Sequence, residues 1–120
     1  TGVVRQDYDK CIGCRMCMSA CPYSGVRSFN WDEPQYCLGH DVGDADAPAH
    51  QKHVVEKCTF CYQRISKGEV PSCMDLCPAR ARFWGDLDDP NSEVAKKVAS
   101  RQYTHLLEEK GTKPSVYYLV

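Results

Sequence analysis

Eight of the nine cysteines fall into two runs whose spacing is typical of metal ligands. The first run has the spacing C-x2-C-x2-C-x3-C-P and consists of Cys11, Cys14, Cys17 and Cys21. The second has the spacing C-x2-C-x11-C-x3-C-P and consists of Cys58, Cys61, Cys73 and Cys77. The spacing of the first run supplies three thiolates to one [4Fe–4S] cluster and a fourth to a second cluster. The sequence therefore predicts two [4Fe–4S] clusters, with these eight cysteines as the iron ligands.

The pairing rule of two-cluster ferredoxins yields a hypothesis for which cysteines share a cluster. One cluster would be held by Cys11, Cys14, Cys17 and Cys77. The other would be held by Cys58, Cys61, Cys73 and Cys21. This exchange of fourth ligands would tie the two halves of the chain together.

Zinc and disulfides are the alternative uses of so many cysteines. Structural zinc sites use paired C-x2-C groups, and they need neither a third cysteine two residues later nor a following proline. A zinc or interaction module is therefore a remote alternative. A disulfide framework is disfavoured because the number of cysteines is odd and their spacing repeats a metal-ligand pattern. Cys37 lies outside both runs, and we expect it to be an incidental thiol.

Composition limits the remaining function classes. The formal charge of −1 over 120 residues leaves no basic stripe for nucleic acid. No apolar run is long enough to cross a bilayer, and the compartment is not determined by the sequence. No Ser–His–Asp order, carboxylate pair or phosphate-binding glycine loop stands out, so we expect a non-catalytic component. With few large rings and a mean hydropathy of −0.51, the core is expected to be small and cluster binding to supply folding energy.

The elements that would position the cysteines are short. Alternating or β-branched residues predict strands. Helix-forming residues predict one helical turn from Cys17 and a second helical segment that ends before Gly68. A third helix is expected to be capped by Asn91 or Ser92. That last helix extends to Leu106 and Leu107 in one interpretation. The predicted strands cover residues 3–8, 26–31, 53–56, 81–84 and 116–120, and the helical segments cover 17–20, 60–67 and the stretch after 92.

Together these elements predict an α+β, ferredoxin-like two-cluster domain over residues 1–120, with pseudo-twofold halves. Residues 32–52 have neither helical nor strand periodicity, so we expect a surface insertion there. Residues 91–120 are expected to form a C-terminal helix and strand that dock as a tail.

Several stretches of the chain resemble the electron-transfer subunits of the dimethyl sulfoxide reductase family of molybdopterin oxidoreductases. Members of this family serve dimethyl sulfoxide, polysulfide, tetrathionate and arsenate reductases and formate dehydrogenases. The resemblance covers nearly the whole chain. The matching stretches are Tyr8-Asp9-Lys10-Cys11-Ile12-Gly13-Cys14-Arg15, Cys21-Pro22-Tyr23, Arg27-Ser28-Phe29-Asn30-Trp31, Lys57-Cys58-Thr59-Phe60-Cys61, Gly85 to Val94, and Gly111-Thr112-Lys113-Pro114 to Leu119.

The resemblance implies a subunit that relays single electrons to or from a molybdopterin catalytic subunit, with a membrane anchor or quinol-oxidising subunit as a further partner. It also implies association with a membrane through that complex. A free-standing soluble 2[4Fe–4S] ferredoxin is the alternative. The interface with the catalytic subunit is expected at residues 32–52 and 113–120.

Family members usually carry four cysteine runs, and this chain is similar to the third and fourth, the C-terminal half. Either the two runs pair with each other, or the chain is a piece of a larger subunit with further clusters. The chain also departs from the family pattern at Ala79-Arg80-Ala81, where Thr-Gly-Ala is common.

Overall fold

The computed structural model describes residues 2–40 and 42–120. The chain forms two compact units, Thr1–Pro71 and Ser72–Val120. The first contains the helices α1 (Met16–Ala20) and α2 (Tyr62–Ile65) and the strands β1 (Arg27–Phe29) and β2 (Val55–Lys57). The second contains the helices α3 (Ser72–Asp75) and α4 (Glu93–Ser100), the strands β3 (Tyr103–Thr104) and β4 (Tyr118–Leu119), and a 3-10 turn at Glu108–Lys110. The predicted mixture of short helices and strands is confirmed.

An antiparallel pair of strands forms the centre of the first unit. Strand β1 pairs with β2, and Phe29 lies opposite Val55. The pairing continues past the strands, because the Asn30 amide donates to the Val54 carbonyl at 3.1 Å. Val54 and Val55 are the buried hydrophobic side chains among the described residues, at 4% and 1% exposure. The core is therefore as small as the composition predicts.

The predicted strand at residues 3–8 is wrong. Residues 2–7 have no regular secondary structure, and a turn begins at Tyr8. Alternation alone does not make a strand, because each strand needs a hydrogen-bonded neighbour. The β1–β2 sheet has two strands, so this segment has no place in it. Instead, the guanidinium of Arg5 lies over the Tyr62 ring, 4.2 Å from its centroid.

The second unit is built around α4 and a short hairpin. The Ser92 hydroxyl accepts a hydrogen bond from the Ala95 amide at 3.2 Å, which confirms Ser92 as the helix N-cap. The helix ends at Ser100, so the suggested continuation to Leu106 and Leu107 is wrong. The chain there turns back instead, and β3 pairs with β4 antiparallel.

The predicted strand at residues 81–84 is also wrong, since the structure has no regular element there. These residues follow a turn at residues 78–79 and have no strand neighbour in either sheet. A strand after the C-x3-C-P ending is therefore present in the first unit, as β1, and absent from the second.

The stretch from 32 to 52 is irregular, as predicted. Residues 32–40 and 42–52 contain no helix or strand. Tyr36, Leu38 and Val42 are exposed there, at 69%, 54% and 70%. The interpretations of this stretch as an insertion, of residues 91–120 as a docking tail, and of residues 1–120 as a single domain stay predictions. Among the described residues, no helix is both long and apolar enough to cross a membrane.

Candidate metal centre

The first cysteine run lies on a loop that leads into α1 and out of it. Cys11 and Cys14 precede the helix, Cys17 lies within it, and Cys21 is its C-cap residue. Cys14 is exposed and the other three are half-buried. The run thus presents its thiols from one loop and one helical turn, as the spacing predicts.

Close packing sets the path of this loop. Gly13 has a φ of +68°, and a β-carbon there would lie 2.5 Å from the carbonyl oxygen of His53 and 3.2 Å from the Phe29 ring. Arg15, two residues later, also adopts a left-handed conformation with a φ of 59°. Only glycine allows the backbone to approach His53 this closely, so the loop is pressed against the strand pair.

A backbone amide from β2 points at the first thiol of the run. The Val55 N–H donates to the Sγ atom of Cys11 at 3.4 Å. An amide donor stabilises the thiolate form of a cysteine, which is the form that binds metal. The buried core residue Val55 therefore also orients a predicted ligand.

The second run begins on a tight turn between β2 and α2. Cys58 follows β2, and Cys61 is the N-cap residue of α2 with a φ of 46°. Phe60 is also left-handed, with a φ of 57°, and its amide donates to the Cys58 Sγ at 3.3 Å. As in the first run, a backbone amide faces a sulfur, but here the amide belongs to the turn itself.

The last two cysteines of the second run lie in the second unit. Cys73 is exposed within α3, and Cys77 is half-buried just after it. The structure thus places Cys58 and Cys61 in the first unit together with the first run. The shared cluster sites proposed from the spacing stay predictions.

Neighbouring backbone amides lower the pKa of the last thiol of the second run. The Ala81 amide is the largest cause of a lowered pKa at Cys77, and desolvation opposes it. The amides of Ala79 and Arg80 and the positive charge of Arg82 lower the pKa further. Sequence reasoning missed the role of Arg82, and its position five residues after Cys77 carried no signal.

Four cations lie near cysteines in the sequence, and their partners differ. Lys10 pairs with Asp7 at 3.3 Å, and Lys57 donates to the Cys58 carbonyl at 2.7 Å. Arg64 donates to the Val70 carbonyl at 2.8 Å and lies 3.5 Å from a Glu69 carboxylate oxygen. Arg15 instead lies over aromatic rings.

Cys37 lies in the irregular stretch and is exposed. Two of the four histidines have polar partners: His50 contacts the Glu56 carboxylate at 2.8 Å, and His105 contacts the Val116 carbonyl at 2.8 Å. Among the described residues, no three Cys, His, Asp or Glu side chains converge on a point that one metal ion could occupy.

The donor set fits a cubane iron–sulfur cluster. No cysteine forms a disulfide, and all nine lie within the described ranges. Such a cluster takes soft thiolates, each on a separate iron atom, and hydrogen bonds to the sulfurs tune it. The amide donors to the Cys11 and Cys58 sulfurs are of this kind.

Comparison with protein families agrees with this chemistry. Residues 4–25 match a 4Fe-4S binding domain, and residues 44–87 match a 4Fe-4S dicluster domain. The first range contains the first cysteine run and the second range contains the second run. These matches define a ferredoxin-type iron–sulfur protein and indicate two [4Fe–4S] clusters, as predicted.

The chain is similar over 98% of its length to iron–sulfur subunits of reductases. It is 52% identical to a dimethyl sulfoxide reductase iron–sulfur subunit of Halobacterium salinarum, of which it covers 44%. It is 40% identical to a subunit of the selenate reductase of Mesobacillus selenatarsenatis and covers 45% of that protein. It is 36% identical to an arsenate respiratory reductase iron–sulfur subunit of Shewanella sp. strain ANA-3 and covers 62% of it.

The chain is similar to these iron–sulfur subunits over nearly its whole length, which confirms the resemblance inferred from its motifs. The relatives are iron–sulfur components of reductases, in agreement with the prediction of a non-catalytic chain. They favour a subunit of a complex over a free-standing ferredoxin. The chain spans about half the length of the first two of these relatives.

Proposed function

We propose that the chain relays single electrons to or from a molybdopterin-dependent catalytic subunit of an oxidoreductase. The observation that carries this proposal is the 52% identity, over 98% of the chain, to a dimethyl sulfoxide reductase iron–sulfur subunit. The relatives are subunits of reductases that act on different substrates, so the proposal concerns electron transfer and names no substrate for the catalytic subunit.

The residues that would hold the clusters are the eight cysteines of the two runs, namely Cys11, Cys14, Cys17, Cys21, Cys58, Cys61, Cys73 and Cys77. A bound [4Fe–4S] cluster supplies one-electron transfer without making or breaking a bond to substrate. The protein's part is to present thiolates and to direct amides at the sulfurs, and Val55 and Phe60 do this for Cys11 and Cys58.

The two halves repeat at the level of ligand spacing, and we propose a pseudo-twofold ferredoxin arrangement on that basis. In it, Cys77 completes the cluster of the first run and Cys21 completes the cluster of the second. Substituting Cys77 by Ala tests this pairing. It should disturb the cluster held by Cys11, Cys14 and Cys17 in electron paramagnetic resonance (EPR) spectra, and selective loss of the other cluster would contradict it.

The partner surfaces are proposed at residues 32–52 and 113–120. Both carry exposed apolar side chains, including Tyr36 in the first and Val116 and Val120 in the second, at 69%, 58% and 76%. Exposed apolar side chains favour burial by a partner. The catalytic subunit would occupy these surfaces, and a membrane-anchoring or quinol-oxidising subunit would hold the complex at the membrane.

Anaerobic purification of the natural complex tests the proposed function. We expect brown protein with about eight irons per copy of this chain, and more if the complete subunit holds further clusters. A molybdopterin-containing subunit should copurify with it. Iron-loaded protein that stays monomeric beside that subunit would favour a free ferredoxin, and colourless protein containing zinc would favour a structural zinc module.

A further inference from the structure

Of the four cations within three residues of Cys11, Cys14, Cys58 or Cys61, Arg15 is the one whose side chain has no oxygen acceptor among the described residues. The side chains of Lys10, Lys57 and Arg64 each have a carboxylate or carbonyl partner. Arg15 follows Cys14 directly and precedes Cys17 by two residues. Arg15 is therefore a residue of the first cysteine run, and its guanidinium has no acidic partner among the described residues.

Aromatic side chains hold this charge in place. The guanidinium carbon of Arg15 lies 4.8 Å from the centroid of the Trp31 ring and 5.4 Å from that of Phe29. The two rings contact each other edge to face, with centroids 4.7 Å apart. Both distances from Arg15 are within the range of a cation–π interaction. An aromatic face attracts the cation without cancelling its charge.

The backbone adds a second constraint. Arg15 has a φ of 59°, a conformation that residues with a β-carbon rarely adopt. The nearby Gly13 packs against the His53 carbonyl, and the Phe29 ring stacks on the His53 ring with centroids 6.4 Å apart. One cluster of side chains from β1 and the turn before β2 thus supports both the cysteine loop and the arginine.

We propose that Arg15, held by Trp31 and Phe29, is a positioning residue whose charge raises the reduction potential of the cluster bound by Cys11, Cys14 and Cys17. Reduction adds a negative charge to a cluster that four thiolates already make negative. A cation near the cluster favours the reduced form, and the aromatic contacts restrict the positions that the guanidinium can adopt. This inference rests on the proposed ligand set but not on the identity of the catalytic partner.

Potentiometric titration followed by EPR tests the proposal on the natural complex. Arg15→Gln should shift the potential of the first-run cluster to more negative values and leave the other cluster unchanged. Arg15→Lys keeps the charge but not the planar contact, so its shift should be smaller. Trp31→Ala should shift the potential in the same direction, because the guanidinium is then no longer held in one position by the Trp31 ring.

The double variant Arg15→Gln/Trp31→Ala separates positioning from a general packing effect. If Trp31 acts through Arg15, the double variant should have the potential of Arg15→Gln alone. Lys10→Gln is the matched control: it removes one positive charge beside Cys11, but that charge is paired with Asp7 and its side chain is 85% exposed. We expect no shift from Lys10→Gln.

Three results would overturn the proposal: an unchanged potential in Arg15→Gln, equal shifts of both clusters, or a full shift from Trp31→Ala in the Arg15→Gln background. If Arg15→Gln fails to assemble its cluster, the potentials measured for Arg15→Lys and Trp31→Ala still test the proposal. Wild-type protein without iron would refute both the proposed function and this inference. Iron-loaded protein with no molybdopterin partner would refute the proposed function alone, because the titration still tests Arg15.

Discussion

The two cysteine runs have the same chemistry but different structural support. The first lies on a loop pressed against the strand pair, with Gly13 in contact with His53 and the Cys11 sulfur facing the amide of the buried residue Val55. The second begins in the first unit and ends in the second, where Cys77 is surrounded by local backbone amides. A buried residue distant in sequence therefore supports the first run, whereas close neighbours in sequence support the end of the second.

This difference shows two ways to preorganise thiolates in a chain with a small core. The first run is shaped by packing, so its geometry depends on contacts between protein atoms that do not involve the metal. The second is shaped by sharp local turns, including left-handed residues that are not glycine, such as Phe60, Cys61 and Arg80. Such turns carry strain, and metal binding is expected to offset it.

Removal of the clusters should have the largest effect and should affect the runs unequally. After anaerobic chelation, we expect amide protection around Cys73 and Cys77 to fall more than that of β1 and β2, because Cys73 is exposed and no residue of α3 is buried. Protection of β1 and β2 should persist in part because Val54 and Val55 stay packed. Hydrogen exchange measured by mass spectrometry checks this. Equal loss of amide protection around both cysteine runs would show that packing does not support the first run more than the second.

Gly13→Ala should be the most harmful single change outside the cysteines. The added β-carbon meets the His53 carbonyl oxygen at 2.5 Å on a backbone with positive φ. Strain and overpacking together should lower the free energy of unfolding by about 2 to 4 kcal/mol. Thermal unfolding of the iron-loaded protein measures this loss.

Gly25→Ala is the matched control for Gly13. It has a similar φ of +77°, but a β-carbon there meets nothing within 4 Å. Only backbone strain remains, so we expect a loss of about 1 to 2 kcal/mol. Equal losses at the two glycines would show that packing against His53 does not support the first loop.

The lowered pKa of Cys77 should appear in its reactivity towards alkylation. In reduced, iron-free protein, the thiolate of Cys77 should persist below the ordinary thiol value of about 8.5, because the Ala81 amide and further donors stabilise it. Arg82→Gln removes a positive charge and should raise the midpoint of the alkylation rate against pH. A midpoint at or above about 8.5 in the original protein would contradict the amide-donor geometry.

Arg80→Gly should have the smallest effect. Arg80 has a φ of 46°, where glycine carries no steric penalty. Relief of backbone strain stabilises the folded protein, and the greater flexibility of glycine stabilises the unfolded chain. These effects nearly cancel, so the free energy of unfolding should change by less than about 1 kcal/mol. Arg80→Ala keeps the β-carbon and should gain nothing from relief of strain. Greater stability of Arg80→Ala than of Arg80→Gly would show that this turn is not strained.

Much of the candidate site could be predicted from the sequence, because ligand spacing is a local property. The spacing of the eight cysteines predicts the type and number of clusters, which the family matches bear out. The Ser92 cap was also predictable, since it follows from a few neighbouring residues, whereas the contact of Gly13 with His53 depends on the fold. The family itself followed from short motifs that surround the cysteines.

Strand pairing was less predictable because a strand needs a partner distant in sequence. Residues 3–8 and 81–84 have suitable side chains, yet neither segment has a neighbour to pair with. The contacts of Arg15 show the same limit. The sequence determined that a cation follows Cys14, whereas the tertiary structure decided that Trp31 and Phe29 hold it, since their strand is brought to the loop by pairing with β2.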